Sequence, residues 1–233
     1  LLSFSSSGLI KSTVVFPVSA TFIAAVFALT VDYYRLFDYY WMCEKVLLPS
    51  FSRIINLPYE RTFWNLLILA HIPLRLISLF QFYIKFAYFA NARSSKLTSL
   101  TLLLFIISGL LDSAFISLLT VVGERESGML HMILFICFIL TIMAFISSHL
   151  LLSIRCGVRG KNEILSFRIR LFLFFSLIIA VALLTTAFWL FQEHCVKYSY
   201  STFACLEYSI IAMILTYHST ALLDLDFTMT LIY

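Results

Sequence analysis

The sequence predicts an all-α fold, a polytopic membrane protein whose six transmembrane helices form one bundle with both termini cytoplasmic. Three observations predict it. Hydrophobic residues make up 62% of the chain and charged residues 12%, against roughly 45–50% and 25% in soluble domains. The mean hydropathy is +1.00. The apolar residues also gather into runs of about 20 or more, the length that crosses a hydrocarbon core, with short polar turns between them. Such runs take up most of the 233 residues, so a single membrane domain over 1–233 is expected, with no separate soluble unit.

The chain opens with a Ser-rich cap ending in Lys11. It lacks the charged-then-apolar stretch and small-residue cleavage site of a cleaved signal peptide. The first span is expected at about 13–33, with Pro17 near its start. Residues 34–61 form the longest loop, rich in balanced charge and in the aromatics Tyr33, Tyr34, Phe37, Tyr39, Tyr40 and Trp41. Rings of this kind favour a headgroup boundary, so the loop should be ordered against the membrane. The second span, about 62–89, carries His71, Pro73 and Arg75, and the third, about 97–122, carries Asp112. The fourth, about 129–154, has His131 and His149 near its ends, where interfacial positions are expected. A basic loop, 155–170, leads to a fifth span at about 171–191 and a sixth at about 200–223.

An even number of spans places both termini on one side. Lys11, Lys85, Arg93, Lys96, Arg155, Arg159, Lys161, Arg168 and Arg170 fall on that side, against Arg35, Lys45, Arg53, Arg61, Arg125 and Lys197 opposite. The positive-inside bias therefore puts the termini in the cytoplasm. The net charge of +4 follows from this asymmetry and calls for no nucleic acid. Cys43 and Cys195 then share the outer or lumenal side, a compartment that permits disulfides. They are read as a bonded pair or as two free thiols.

The informative residues are the ionisable ones inside spans. Each such charge at a bilayer centre costs at least about 2.5–3.5 kcal/mol and marks function by default. Glu207 and His218 stand about three turns apart on one helix face, roughly 16 Å along the axis, with Asp224 at the end. His71 and Arg75 share a face of the second span. Arg75 is expected to pair with Asp112 or with Glu207. The bland reading is a buried network that fixes packing; the functional one is a cavity for a polar headgroup. Catalysis is left open, with His71 or His218 as a general base oriented by Asp112, Glu207 or Asp224, and Ser50, Ser52 or Cys43 as conceivable nucleophiles. No His-x3-His or Cys-x2-Cys metal spacing, Gly-rich phosphate loop or Gly-x-Ser-x-Gly elbow is present, so no metal and no cofactor is expected.

Several of these residues fall into a pattern. Leu48-Pro49-Ser50-Phe51-Ser52, His71-x3-Arg75, the acid Asp112, and Phe203-Ala204-Cys205-Leu206-Glu207-Tyr208 followed by His218 and Asp224 together resemble the Frag/DRAM/Sfk group. The resemblance runs from the first span to the sixth and is strongest toward members that act in maturation of GPI anchors. It departs from them at Glu44-Lys45 after Cys43 and in the placing of Pro73, as a divergent member would. The resemblance implies a multi-pass protein of the Golgi or ER membrane. It further implies a role where lyso-GPI regains a saturated fatty acid, with membrane lipids and GPI-anchored proteins as partners. Cys43 and Cys195 fall where those members carry lumenal cysteines. In that role Arg53, His71 and Arg75 would hold the phosphoinositol phosphate, with Glu207 and His218 completing the site. The wider group implies an alternative, a non-enzymatic adaptor or auxiliary subunit of a channel or lipid-kinase complex, with a membrane protein partner.

Overall fold

The computed structural model describes residues 2–91, 95–157, 160–224 and 228–231. Six helices in it are long and apolar enough to cross a membrane. In order the elements are β1 (Leu2–Ser5), α1 (Ser6–Thr30), α2 (Tyr33–Phe37), β2 (Tyr40–Trp41), β3 (Glu44–Lys45), α3 (Phe51–Ile54), α4 (Pro58–Asn91), α5 (Lys96–Val121), α6 (Gly128–Cys156), α7 (Lys161–His194), α8 (Ser199–Ser219), α9 (Ala221–Asp224) and β4 (Thr228–Leu231). β1 pairs antiparallel with β4, which puts the two ends of the chain side by side at one end of the bundle.

The largest departure from expectation is α7. It begins at Lys161 rather than at 171, so Arg168 and Arg170 are helical and the basic loop is short. Hydropathy places the start of a span at its first apolar run, whereas backbone hydrogen bonds continue through a polar first turn. Lys161 follows Gly160, and the Glu163 carboxylate accepts from the Gly160 N–H at 3.2 Å, satisfying one of the donors a helix start leaves open. Of the basic segments read from sequence, positions 92–94 and 158–159 lie outside the described residues. Segment 34–61 is ordered, as expected. It holds α2, the β2–β3 ribbon and α3, and Cys43 is bonded to Cys195 with Cα atoms 5.5 Å apart.

The long helices pack as three neighbouring pairs, α1 with α4, α5 with α6 and α7 with α8, and α4 also lies along α5. Each pair has a reason in its inward stripe. On α4 Trp64, Ile68, His71, Arg75, Leu79, Phe82 and Phe86 are buried among others, in steps of three or four that trace one helix face. On α5 the stripe is small and polar: Thr98, Thr101, Ser108, Gly109, Asp112 and Ser113. Small residues let helices approach closely where lipid supplies no hydrophobic drive. A Cβ at Gly109 would sit 2.6 Å from Leu79 Cδ1 and 3.0 Å from the Phe145 ring. The main core is aromatic, with Phe82, Phe86, Phe105 and Phe145 around the ring of His149.

Candidate functional site

The polar residues on the stripes of α4 and α8 meet inside the bundle. His71, Arg75, Glu207 and His218 all line one cavity, whose remaining wall is mostly apolar and drawn from α1, α3, α5 and α6. Its cavity volume is about 110 Å³, and it is partly open to the outside. Asp112, one of the expected candidates, does not line it. Its carboxylate lies behind Arg75 and pairs with that guanidinium, both side chains being almost fully buried. Of the two partners expected for Arg75, then, the structure selects Asp112 and not Glu207. An ion pair of this kind offsets two desolvation costs at once in the hydrocarbon core.

Glu207 is occupied elsewhere. Its carboxylate accepts from the backbone N–H of Phe51 at 2.7 Å, from that of Ser52 at 3.2 Å and from the Ser52 hydroxyl. These donors are the open first turn of α3, which Ser50 also caps by accepting from the Arg53 N–H at 3.3 Å. A carboxylate is the strongest acceptor such a turn can find. Glu207 therefore latches the long loop onto the last spanning helix, and Tyr208 assists by donating its hydroxyl proton to the Pro49 carbonyl at 3.0 Å. Cys43 is consumed by its disulfide and has no thiol to act as a nucleophile.

His71 is set differently. Its Nδ1 stands 2.5 Å from the Ile68 carbonyl, which can only accept, so Nδ1 carries the proton and Nε2 is the lone pair. His218 has a buried Nε2 with no hydrogen-bond partner among the described residues. Those two imidazoles and the guanidinium of Arg75 form a polar cluster in a chamber whose wall is mostly apolar.

Arg53 does not line the cavity. Its guanidinium lies over the rings of Tyr39 and Trp41, 3.9 and 4.4 Å from their centroids, a cation–π arrangement within the loop, and its buried Nε has no hydrogen-bond partner among the described residues. Next to it, burial pushes the Tyr39 phenol and the Glu124 carboxyl up from their ordinary ranges, the latter opposed by Arg53 and His131.

Asp224 also stands apart from the larger cavity. It pairs with Arg170 and accepts from the Ser166 hydroxyl at 2.9 Å. Arg170 reaches on to Thr220 Oγ1 at 2.7 Å and His149 Nε2 at 2.8 Å. Because arginine only donates, His149 must give its Nδ1 proton to the Tyr217 hydroxyl at 2.8 Å. His149 is thus not interfacial as expected but enclosed, 2% exposed, in the aromatic core. His131 is likewise buried, its Nδ1 2.7 Å from the Val122 carbonyl. A smaller cavity of about 40 Å³ lies between Arg75, His218, Tyr217, His149 and Arg170.

Sequence reasoning missed His149, Arg170 and Tyr217 as a network, since they come from three helices with no shared spacing. The one available signal was an arginine three turns into α7, hidden by placing that helix start too late. Among the described residues no three His, Cys, Asp or Glu side chains gather as metal ligands.

Searches of curated proteins and of solved structures returned no match to this chain. A family model described as the Frag1/DRAM/Sfk1/Cwh43P N-terminal domain matches residues 6–227. That match covers nearly the whole six-helix bundle, and the chain belongs to the Frag1/DRAM/Sfk1 family of membrane proteins.

Proposed function

We propose that the chain is a lipid-remodelling factor for GPI anchors, acting where lyso-GPI regains a saturated fatty acid, in the manner of post-GPI attachment to proteins factor 2. The observation that carries the reading is the gathering of His71, Arg75, Glu207 and His218 around one mostly apolar cavity beneath the ordered loop. Packing alone gives no use for an imidazole such as His218, whose buried Nε2 has no partner among the described residues. The partners in this reading are membrane lipids and GPI-anchored proteins, and the site of action is the Golgi membrane or the ER membrane. The family match and the Leu206-Glu207-Tyr208, His218 pattern support it.

The test is mass spectrometry of GPI anchors from cells lacking the protein, rescued at matched expression with wild type, His71→Ala or His218→Ala. Accumulated lyso-GPI that only wild type clears is the expected result. Surface GPI-anchored proteins should fall as well, because one acyl chain anchors only marginally. Unchanged anchors would sink the proposal.

A second reading, an adaptor whose polar residues serve the fold alone, draws on Glu207, held by the backbone of α3, and on Asp112, paired with Arg75. It predicts a co-purifying channel or lipid kinase and ordinary anchors.

A further inference from the structure

The larger cavity has a shape, a depth and a polar cluster that together define an occupant. His71 lies about 20 Å along α4 from its first residue, deep within a hydrocarbon core of about 30 Å. At that depth an opening in the protein wall meets acyl chains and not water. The seam between α1 and α8 is the candidate for such an opening. α1 packs along α4 and touches α8 at few points. Val14 and Thr21 on α1, with Ile211, Leu215 and His218 on α8, line the cavity and are half-exposed. Val14, Pro17 and Thr21 share one face of α1, while Ile211, Leu215 and His218 share one face of α8. Pro17 removes one backbone hydrogen bond from α1 beside this seam, a feature that lets a helix bend.

The polar cluster is matched to a carbonyl. Arg75 is tied through Nη2 to Asp112, and it keeps further N–H groups on the cavity wall. His71 Nε2 is a lone pair. His218 Nε2 is buried without a partner among the described residues. A guanidinium that donates beside an imidazole that accepts is the complement of a carboxylic acid, or of a lysolipid's ester carbonyl together with its free hydroxyl. Apolar walls from Ile211, Ile214, Leu215 and Phe138 suit a hydrocarbon tail.

We infer that this cavity binds a single acyl chain, its carbonyl end at Arg75, His71 and His218, and that the chain enters sideways through the seam between α1 and α8. Two sources share this chemistry, a free fatty acid and the ester of a one-chain phospholipid. The inference rests on the lipid-remodelling reading only for which lipid delivers the chain.

The full chain in nanodiscs is irradiated with palmitic acid carrying a mid-chain diazirine. In a second arm it is irradiated with lysophosphatidylinositol bearing the same chain. Modified peptides are mapped by mass spectrometry. Saturable labelling of residues 14–21 and 211–215, displaced by excess unlabelled palmitate, is expected in at least one arm. Fatty acid alone identifies the free acid as the source, and lysolipid alone identifies the ester. Ile211→Trp and Leu215→Trp, which fill the seam at half-exposed positions, should each lower labelling about ten-fold with Tm unchanged. Labelling in neither arm overturns the inference. So does labelling spread evenly over outward residues such as Phe22 and Phe172, or undiminished in both tryptophan variants. Saturable labelling with ordinary anchors in the knockout cells removes the GPI role and keeps the site. Altered anchors with no saturable labelling does the reverse.

Discussion

Arg75 and Asp112 face each other where neither can find water, so each is tolerable only because of the other. Arg75→Ala should destabilise the protein by about 3–5 kcal/mol, since it leaves a buried carboxylate alone, whereas Arg75→Met combined with Asp112→Leu should recover most of the loss. Thermal unfolding of the two purified variants checks this. A double variant no more stable than the single one would mean that the charges hold more than each other. Glu207→Gln should cost about 1–3 kcal/mol by weakening the acceptor for Phe51, Ser52 and the Ser52 hydroxyl. Hydrogen exchange should rise over residues 50–56 and stay level in α5. These residues were legible as a group, because an ionisable side chain in a 20-residue apolar run stands out by type alone. Their pairing was not legible. Whether Arg75 meets Asp112 or Glu207 depends on which helices are neighbours, and no spacing within one helix encodes that.

At the scale of elements, the α4–α5 contact depends on Gly109, where a side chain meets Leu79 and the Phe145 ring. Gly109→Val should cost about 1–3 kcal/mol by overpacking, and Gly109→Ala less, because the methyl of Leu79 can swing aside. Both are read as a fall in Tm. The turn between α5 and α6 gives a prediction in pH. The Gly123 backbone N–H, and then Arg61, hold the Glu126 carboxyl below its ordinary range. A depressed acid stabilises the fold above its unfolded pKa of about 4.3 and loses that contribution as pH falls through the folded value. Exchange over residues 123–128, corrected for intrinsic rate, should therefore quicken at about pH 3 relative to pH 6. Glu126→Gln should remove most of the difference. Helix existence was legible from apolar runs, and helix ends were not. α7 extends ten residues before the expected 171, because its first turns are polar and amphipathic and their burial depends on α9 and Asp224.

At the scale of the whole molecule, the loop that spans 34–61 is fastened to the far end of the chain twice, by the Cys43–Cys195 disulfide and by Glu207 on α3. Cys43→Ser should expose Lys45 and Arg53 to trypsin sooner while leaving the six helices in place. Adding Glu207→Gln should speed cleavage further, since the two fasteners act at different points. Cleavage as slow in the double variant as in wild type would show that a third contact dominates. The fold class could be read from sequence, since hydropathy is a one-dimensional fact, whereas Cys43 and Cys195 could be read only as able to pair, with free thiols the alternative that the structure removes. The cavity could not, because its walls come from six elements.

The same double fastening has a consequence for biosynthesis. Ser52 leaves the ribosome 155 residues before the glutamate that will hold it. At roughly 5–20 residues per second, that interval is about 8–30 s. Throughout it the nascent chain carries an unlatched loop, and Cys43 waits for Cys195, made 152 residues after it. Completion of the last helix is thus the event that closes the protein, and a chain truncated within α8 should be recognised as unfinished even with five spans already inserted.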